Sequence, residues 1–223
     1  MKKAIFFKEW IKTRWYLLAA LVVFVSYTLY IILRIGNAIE FKGAAHLWAI
    51  LLTRDVIFIE PMQYVPMLFG LLLGVIQFVP EVVQKRLKLT LHLPFPQPGM
   101  MLGMMLYGLG ALTIITVAQT AALWIFLQQY MAAELIAHIL LSSLPWYAAG
   151  YAAYLMTYAA CIEPSWRMRI LIILTGIGLL RIHFLLDVPQ SYNSFIGPLF
   201  LFDLAALLLI LRSMVRFKEG CQD

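Results

Sequence analysis

Few residues of this chain could do chemistry, and they do not gather. The four histidines, His46, His92, His138 and His183, stand in four separate segments, and Cys161 and Cys221 lie far apart. Metal motifs need close and regular ligand spacing, so no metal site is expected. There is no G-x-x-x-x-G-K-[ST] phosphate loop, no H-E-x-x-H and no G-x-S-x-G. The chain therefore carries no signature of nucleotide hydrolysis, zinc proteolysis or serine hydrolysis, and no catalytic residue or cofactor is assigned to it. Ionisable groups inside apolar stretches are a different case, because a charge in lipid is costly and marks either an ion path or a structural pair. Glu60, Glu134 and Arg181 fall near the ends of apolar runs, where long side chains reach the interface. Asp203 lies about two helical turns inside the last run. A pair between Arg181 and Asp203 across adjacent helices is the expectation, structural in preference to a transport role.

The elements that must position these groups are membrane helices. Of the 223 residues 63% are hydrophobic and only 13% charged, with a mean hydropathy of +0.88. A soluble domain is roughly 45–50% apolar and about 25% charged, and a fold of this length could not hide the excess. Crossing a hydrocarbon core of roughly 30 Å takes about 20 helical residues. The runs that suffice are 15–35, 58–79, 100–127, 135–161, 168–186 and 195–211, with Pro145 a candidate kink in the fourth. Backbone in lipid must satisfy its own hydrogen bonds, which requires helices. The reading is an all-α integral membrane protein, a single transmembrane domain over residues 1–223 with six spans. The opening Met-Lys-Lys and the apolar run after it lack a small-x-small cleavage site, so they read as a retained span.

Orientation follows from the basic residues. With the N-terminus in the cytoplasm, 13 of the 17 lysines and arginines fall inside, and only Arg34, Lys42, Arg54 and Arg181 fall outside. That bias places both termini in the cytoplasm. The net charge of +6 is spread over short clusters between apolar runs, which speaks against nucleic-acid binding. Both cysteines fall on the cytoplasmic side, where thiols stay reduced.

Four connecting segments have distinct character. Residues 5–16 mix aromatic and basic side chains and are expected as an amphipathic helix in the headgroup plane, with Trp10, Lys12, Arg14 and Trp15 at the interface. The alternative is a frayed tail. The outer segment 36–60 contains an apolar stretch, 44–52, too short to span and read as interfacial or re-entrant. The outer loop 187–193 is short. The cytoplasmic loop 80–98 is the most distinctive. It opens as a helix with Pro80 and Glu81 in its first turn, followed by Lys85, Arg86 and Lys88, an order that suits the helix dipole. Val83, Leu87 and Leu91 share a face, although Leu87, Leu89, Leu91 and Leu93 also alternate as a strand would. Glycines at 70 and 74 form a G-x-x-x-G that suits close helix packing, within one chain or between two.

An amphipathic basic start, six spans, and a first cytoplasmic loop with an acid, a basic cluster, a leucine-rich stretch and a proline are here Glu81, Lys85, Arg86, Lys88, residues 87–93 and Pro94. In this layout the chain resembles the type-2 permease family of ATP-binding-cassette exporters. Two features depart from the family pattern: residues 86–90 lack the usual Gly-Thr, and the outer loop between the fifth and sixth spans is short. The resemblance implies a multi-pass subunit of a bacterial inner membrane, working with a second permease copy or a paralogue. It also implies a separate ATPase subunit that would hold the ATP and Mg2+. Residues 80–98 would contain the coupling helix that docks on that ATPase. Glu81, Gln84, Lys85, Arg86 and Lys88 would then supply polar contacts, and Val83, Leu87 and Leu91 apolar ones. The competing reading of the same basic cluster is a topology signal against anionic lipid. At the level of function the alternatives are an ion- or proton-coupled carrier and a non-transporting assembly subunit.

Overall fold

The computed structural model describes residues 2–43, 59–84, 97–185 and 191–219. Six helices account for nearly all of them: α1 (Lys2–Lys42), α2 (Val65–Val83), α3 (Gln97–Leu127), α4 (Ala133–Ile162), α5 (Trp166–His183) and α6 (Ile196–Glu219). A single 3-10 turn, Glu60–Met62, precedes α2, and there is no strand among the described residues. The apolar stretch 44–52 and the basic, leucine-rich residues 85–96 lie outside them.

Four helices, α1, α2 with the turn before it, α3 and α6, are long and apolar enough to cross a membrane. The protein is therefore a multi-pass membrane protein by length and composition. The two remaining helices fall short for different reasons. α5 has 18 residues and carries three arginines, Arg167, Arg169 and Arg181. α4 is the central helix, packed by α2, α6, α5 and α3. A helix enclosed by others needs small and hydrogen-bonding side chains where a lipid-facing one needs aliphatics. α4 accordingly buries Ser143, Tyr154, Tyr158 and a series of alanines, Ala148, Ala149, Ala152, Ala153 and Ala159.

The boundaries differ from the sequence expectation in three informative places. α1 is one helix of 41 residues, about 61 Å long at 1.5 Å per residue, where a separate interfacial helix and a span ending at 35 were expected. The segment has no proline and no internal glycine before Gly36, so nothing breaks it. Residues 80–83 continue α2 through Pro80 and do not start a new helix. α6 runs eight residues beyond the expected end at 211.

The α2–α4 contact forms the spine of the bundle, and glycine makes it possible. A Cβ on Gly70 would overlap the Gly150 carbonyl oxygen, and one on Gly150 would come within 2.8 Å of Pro66 O. One turn further on, a Cβ on Gly74 would stand 2.8 Å from Thr157 Cβ. The G-x-x-x-G of α2 is thus occupied inside the chain. Two apolar clusters flank this crossing. One gathers Phe24, Ile31, Ile35, Met62, Leu127 and Trp146; the other gathers Leu73, Phe78, Met104, Tyr154, Tyr158 and Ile210.

Candidate functional site

The end of the bundle that carries the N-terminal half-turns of α1, the C-terminus of α2 and the α4–α5 turn is rich in basic residues, and it holds the most polar interior. Glu9, Glu81 and Glu163 are its carboxylates among the described residues with described side chains. All three are buried, at 0%, 1% and 1% exposure.

Lys8 and Lys12 are one turn apart on α1, so their ammonium groups share a face. Lys8 Nζ donates to Glu81 Oε2 at 2.8 Å, and Lys12 Nζ donates to Glu81 Oε1 at 3.0 Å. Lys12 also pairs with Glu9, at 2.9 Å to Oε2 and 3.1 Å to Oε1. Both Glu81 oxygens are thereby engaged, and α1 is clamped to the last turn of α2. Thr13 extends the contact to α3: its hydroxyl donates to Glu9 O at 2.8 Å and lies 2.7 Å from the Tyr107 hydroxyl. Phe6 meets the Tyr107 ring edge-on, with centroids 5.8 Å apart. A turn higher, the Tyr16 hydroxyl donates to Phe69 O at 2.8 Å. The first four turns of α1 are thus fastened to two other helices, and residues 85–96 follow this clasp in sequence.

The two carboxylates of the clasp, which lie outside the 15–35 and 58–79 stretches, respond to it in opposite directions. Burial pushes the Glu9 carboxyl above its ordinary 4.5, and Lys12 only partly opposes that. Burial also acts upward on Glu81, but the hydrogen bonds and charges of Lys8 and Lys12 outweigh it and hold the carboxyl below 4.5.

Glu163 plays the matching part on the far side of α4. It follows the last turn of α4, and its Oε2 accepts from Ser213 Oγ at 2.7 Å, while Oε1 lies 3.3 Å from Arg216 Nε. Its backbone carbonyl accepts from Arg169 Nη2 at 2.7 Å. One residue thus joins α4 to both α5 and α6. Between the two clamps, Gln77 bridges three helices: its amide donates to Met104 O at 2.7 Å and accepts from the Tyr154 hydroxyl at 2.9 Å.

The residues singled out from the sequence divide. Trp10 and Trp15 are exposed, with the Arg14 guanidinium 5.6 Å from the Trp15 ring. Lys12 is not with them: it is turned inward onto Glu81 and Glu9. Glu81 likewise faces the clasp and presents no free carboxylate to a partner chain. Val83 and Gln84 are exposed at the end of α2, and Lys85, Arg86, Leu87, Lys88 and Leu91 lie outside the described residues.

Asp203 corrects the expected pairing. It is buried at 3%, and its Oδ2 lies 3.4 Å from His183 Nε2, whereas Arg181 is exposed. An arginine two residues from the end of α5 can extend toward water, while His183 is short enough to remain inside. His183 Nδ1 is 3.0 Å from Leu179 O. A carbonyl only accepts, so Nδ1 is the donor in that contact. The other Asp203 oxygen is buried without a hydrogen-bond partner.

Sequence reasoning missed Glu9, Glu163 and Gln77. A usable signal was present, because a lone acid within a basic membrane-flanking segment has no topological use and is best explained by an internal pair. No protein-family model, curated protein or solved structure matches the chain, so its function is argued from its own geometry.

Proposed function

We propose that this chain is the membrane-spanning permease subunit of an ATP-driven exporter. In this reading it has six spans with both termini cytoplasmic and works with a second permease copy or a paralogue. A separate ATPase binds ATP and Mg2+ and pushes on the loop that leaves α2. The observation that carries the reading is the Lys8–Glu81–Lys12 clasp. A subunit without a phosphate loop is driven only through contact, and a lever is useful only if its root is stiff. The buried ion pairs join the loop root to α1, and Thr13 with Tyr107 joins it to α3, where the same loop returns. A displacement of the loop is thus shared by three helices. The basic residues Lys85, Arg86 and Lys88, set just beyond the clasp, supply the contact surface.

Co-purification with an ATPase subunit, sought first among the products of neighbouring genes, tests the reading. Reversing Arg86 and Lys88 to glutamate abolishes the complex while insertion in the membrane is unchanged. A complex that survives both reversals, or a functional complex with no ATPase, overturns it.

A second reading, a proton-coupled carrier, draws on the His183–Asp203 pair, two titratable groups buried 3.4 Å apart. It requires Asp203→Asn to abolish transport with no ATPase present. Transport that depends on ATP hydrolysis and tolerates Asp203→Asn removes it.

A further inference from the structure

α2 and α5 flank α4 on the same side. They meet at the end away from the basic residues, where the Tyr64 and Phe184 rings lie 5.0 Å apart. Toward the basic end they part, and a groove of 440 Å³ opens between them. Val75 and Val79 form one wall, Ile173 and Ile177 the other, and Met156 and Ala160 of α4 the floor. Small side chains give it depth: Ala153 and Ala160 line the floor, and Gly176 has no side chain at all. From Arg169 to Leu180 the groove follows about 17 Å of helix, a length suited to one fatty-acyl chain.

Its one charged lining residue among the described residues is Arg169, at the wide mouth. The guanidinium lies 5.5 Å from the Trp166 ring and gives one hydrogen bond to the Glu163 carbonyl. Its Nε is buried with no hydrogen-bond partner. No carboxylate among the described residues pairs with it, because Glu163 is engaged by Ser213 and Arg216. A lipid-facing groove that is apolar along its length and ends in an uncompensated arginine matches an anionic amphiphile in both shape and charge.

We propose that this groove binds one anionic phospholipid, with an acyl chain between α2 and α5 and the phosphate on Arg169. Its assignment to the inner leaflet rests on the orientation given under the proposed function; the binding itself does not.

Native mass spectrometry of the detergent-purified full chain tests the site with phosphatidylglycerol and phosphatidylcholine of the same acyl chains. The wild type retains one phosphatidylglycerol per chain in preference to phosphatidylcholine, by about fivefold, the factor a single basic residue contributes near an anionic headgroup. Arg169→Gln brings the two lipids level, and Arg169→Lys keeps most of the preference. Val79→Trp, which fills the groove from α2, lowers retention of both lipids. Equal retention by the wild type, or a preference that survives Arg169→Gln, overturns the proposal. So does a Val79→Trp protein that keeps its lipid but loses a dimer, since that outcome assigns the groove to a second copy. The measurement needs no ATPase and no transport, so its failure and that of the permease reading are separable.

Discussion

The two ends of the bundle are held by different physics. At the basic end, helices are tied by charges: three buried carboxylates each meet lysine, arginine or hydroxyl partners, and both oxygens of Glu81 are engaged. At the opposite end and through the centre, helices are tied by close approach, with Gly70 against Gly150 and aromatic and aliphatic side chains filling the space beside them. The polar group at that end, His183–Asp203, is longer at 3.4 Å and leaves one carboxylate oxygen bare. Charge pairing between helices survives small movements of flexible lysines, whereas a glycine crossing tolerates none. The basic end is therefore joined through adjustable side chains, and the glycine crossing through rigid backbone.

The largest expected effect comes from breaking the glycine crossing. Gly70→Leu puts a branched side chain where the Gly150 carbonyl stands, and the helices must separate. A loss of about 3 kcal/mol or more is expected, read as a drop in thermal unfolding temperature of the purified monomeric chain. A mutant that unfolds as the wild type does but fails to dimerise would mean the glycines serve a second copy instead.

Next comes the clasp. Glu81→Gln leaves Lys8 and Lys12 without their shared carboxylate. Lys8, with its side chain 34% exposed, reaches water, and Lys12 keeps Glu9. The cost is therefore at or below the lower edge of the buried-pair range, about 2–3 kcal/mol. Faster hydrogen exchange in residues 5–16 accompanies it, and an unchanged exchange rate there would show that α1 is held by its apolar contacts alone.

The pH response sharpens the same contrast. Glu81 titrates below 4.5 in the folded chain, so its contribution is complete above that value and is lost as pH falls through the folded one. Glu9 titrates above 4.5, so protonating it relieves a buried charge and has the opposite sign. Acidification should first leave α1 slightly firmer and then release it. In Glu81→Gln the release step disappears while the Glu9 step remains, as hydrogen exchange across the pH range would report.

The smallest effect belongs to the opposite end. Asp203→Asn keeps a hydrogen-bonding partner for His183 and removes a carboxylate that was only half satisfied. A stability change within about 1 kcal/mol is expected. A loss as large as that of Glu81→Gln would mean that the His183–Asp203 pair, too, is an ionic clamp.

Much of the fold was legible beforehand, because lipid imposes a one-dimensional rule. The apolar runs coincide with α1 through α6, and the helices extend beyond them at 2–14 and 36–42 of α1, 80–83 of α2 and 212–219 of α6. These extensions were misjudged for a common reason. Hydropathy reports where the apolar run ends, not where the helix does. The candidate site was less legible. Glu81 was found, but its role was reversed, from a surface contact to an internal one, because α1 comes to it from 69 residues away in sequence at Lys12. Lys12 was assigned to lipid phosphates for the same reason. Asp203 was recognised as needing a partner, and two basic residues only two positions apart, Arg181 and His183, could both supply it.

What the sequence determined by itself is the solvent: a composition 63% hydrophobic, in runs long enough to cross a bilayer, admits helices in a membrane. It also determined that the polar interior would be small, since few ionisable groups lie within those runs. Only the tertiary structure decided which charges are inside. Residue types set the cost of burying Glu9, Glu81, Glu163 and Asp203, but only the packing of α1, α5 and α6 decides whether a cation or a hydroxyl stands within 4 Å to offset it.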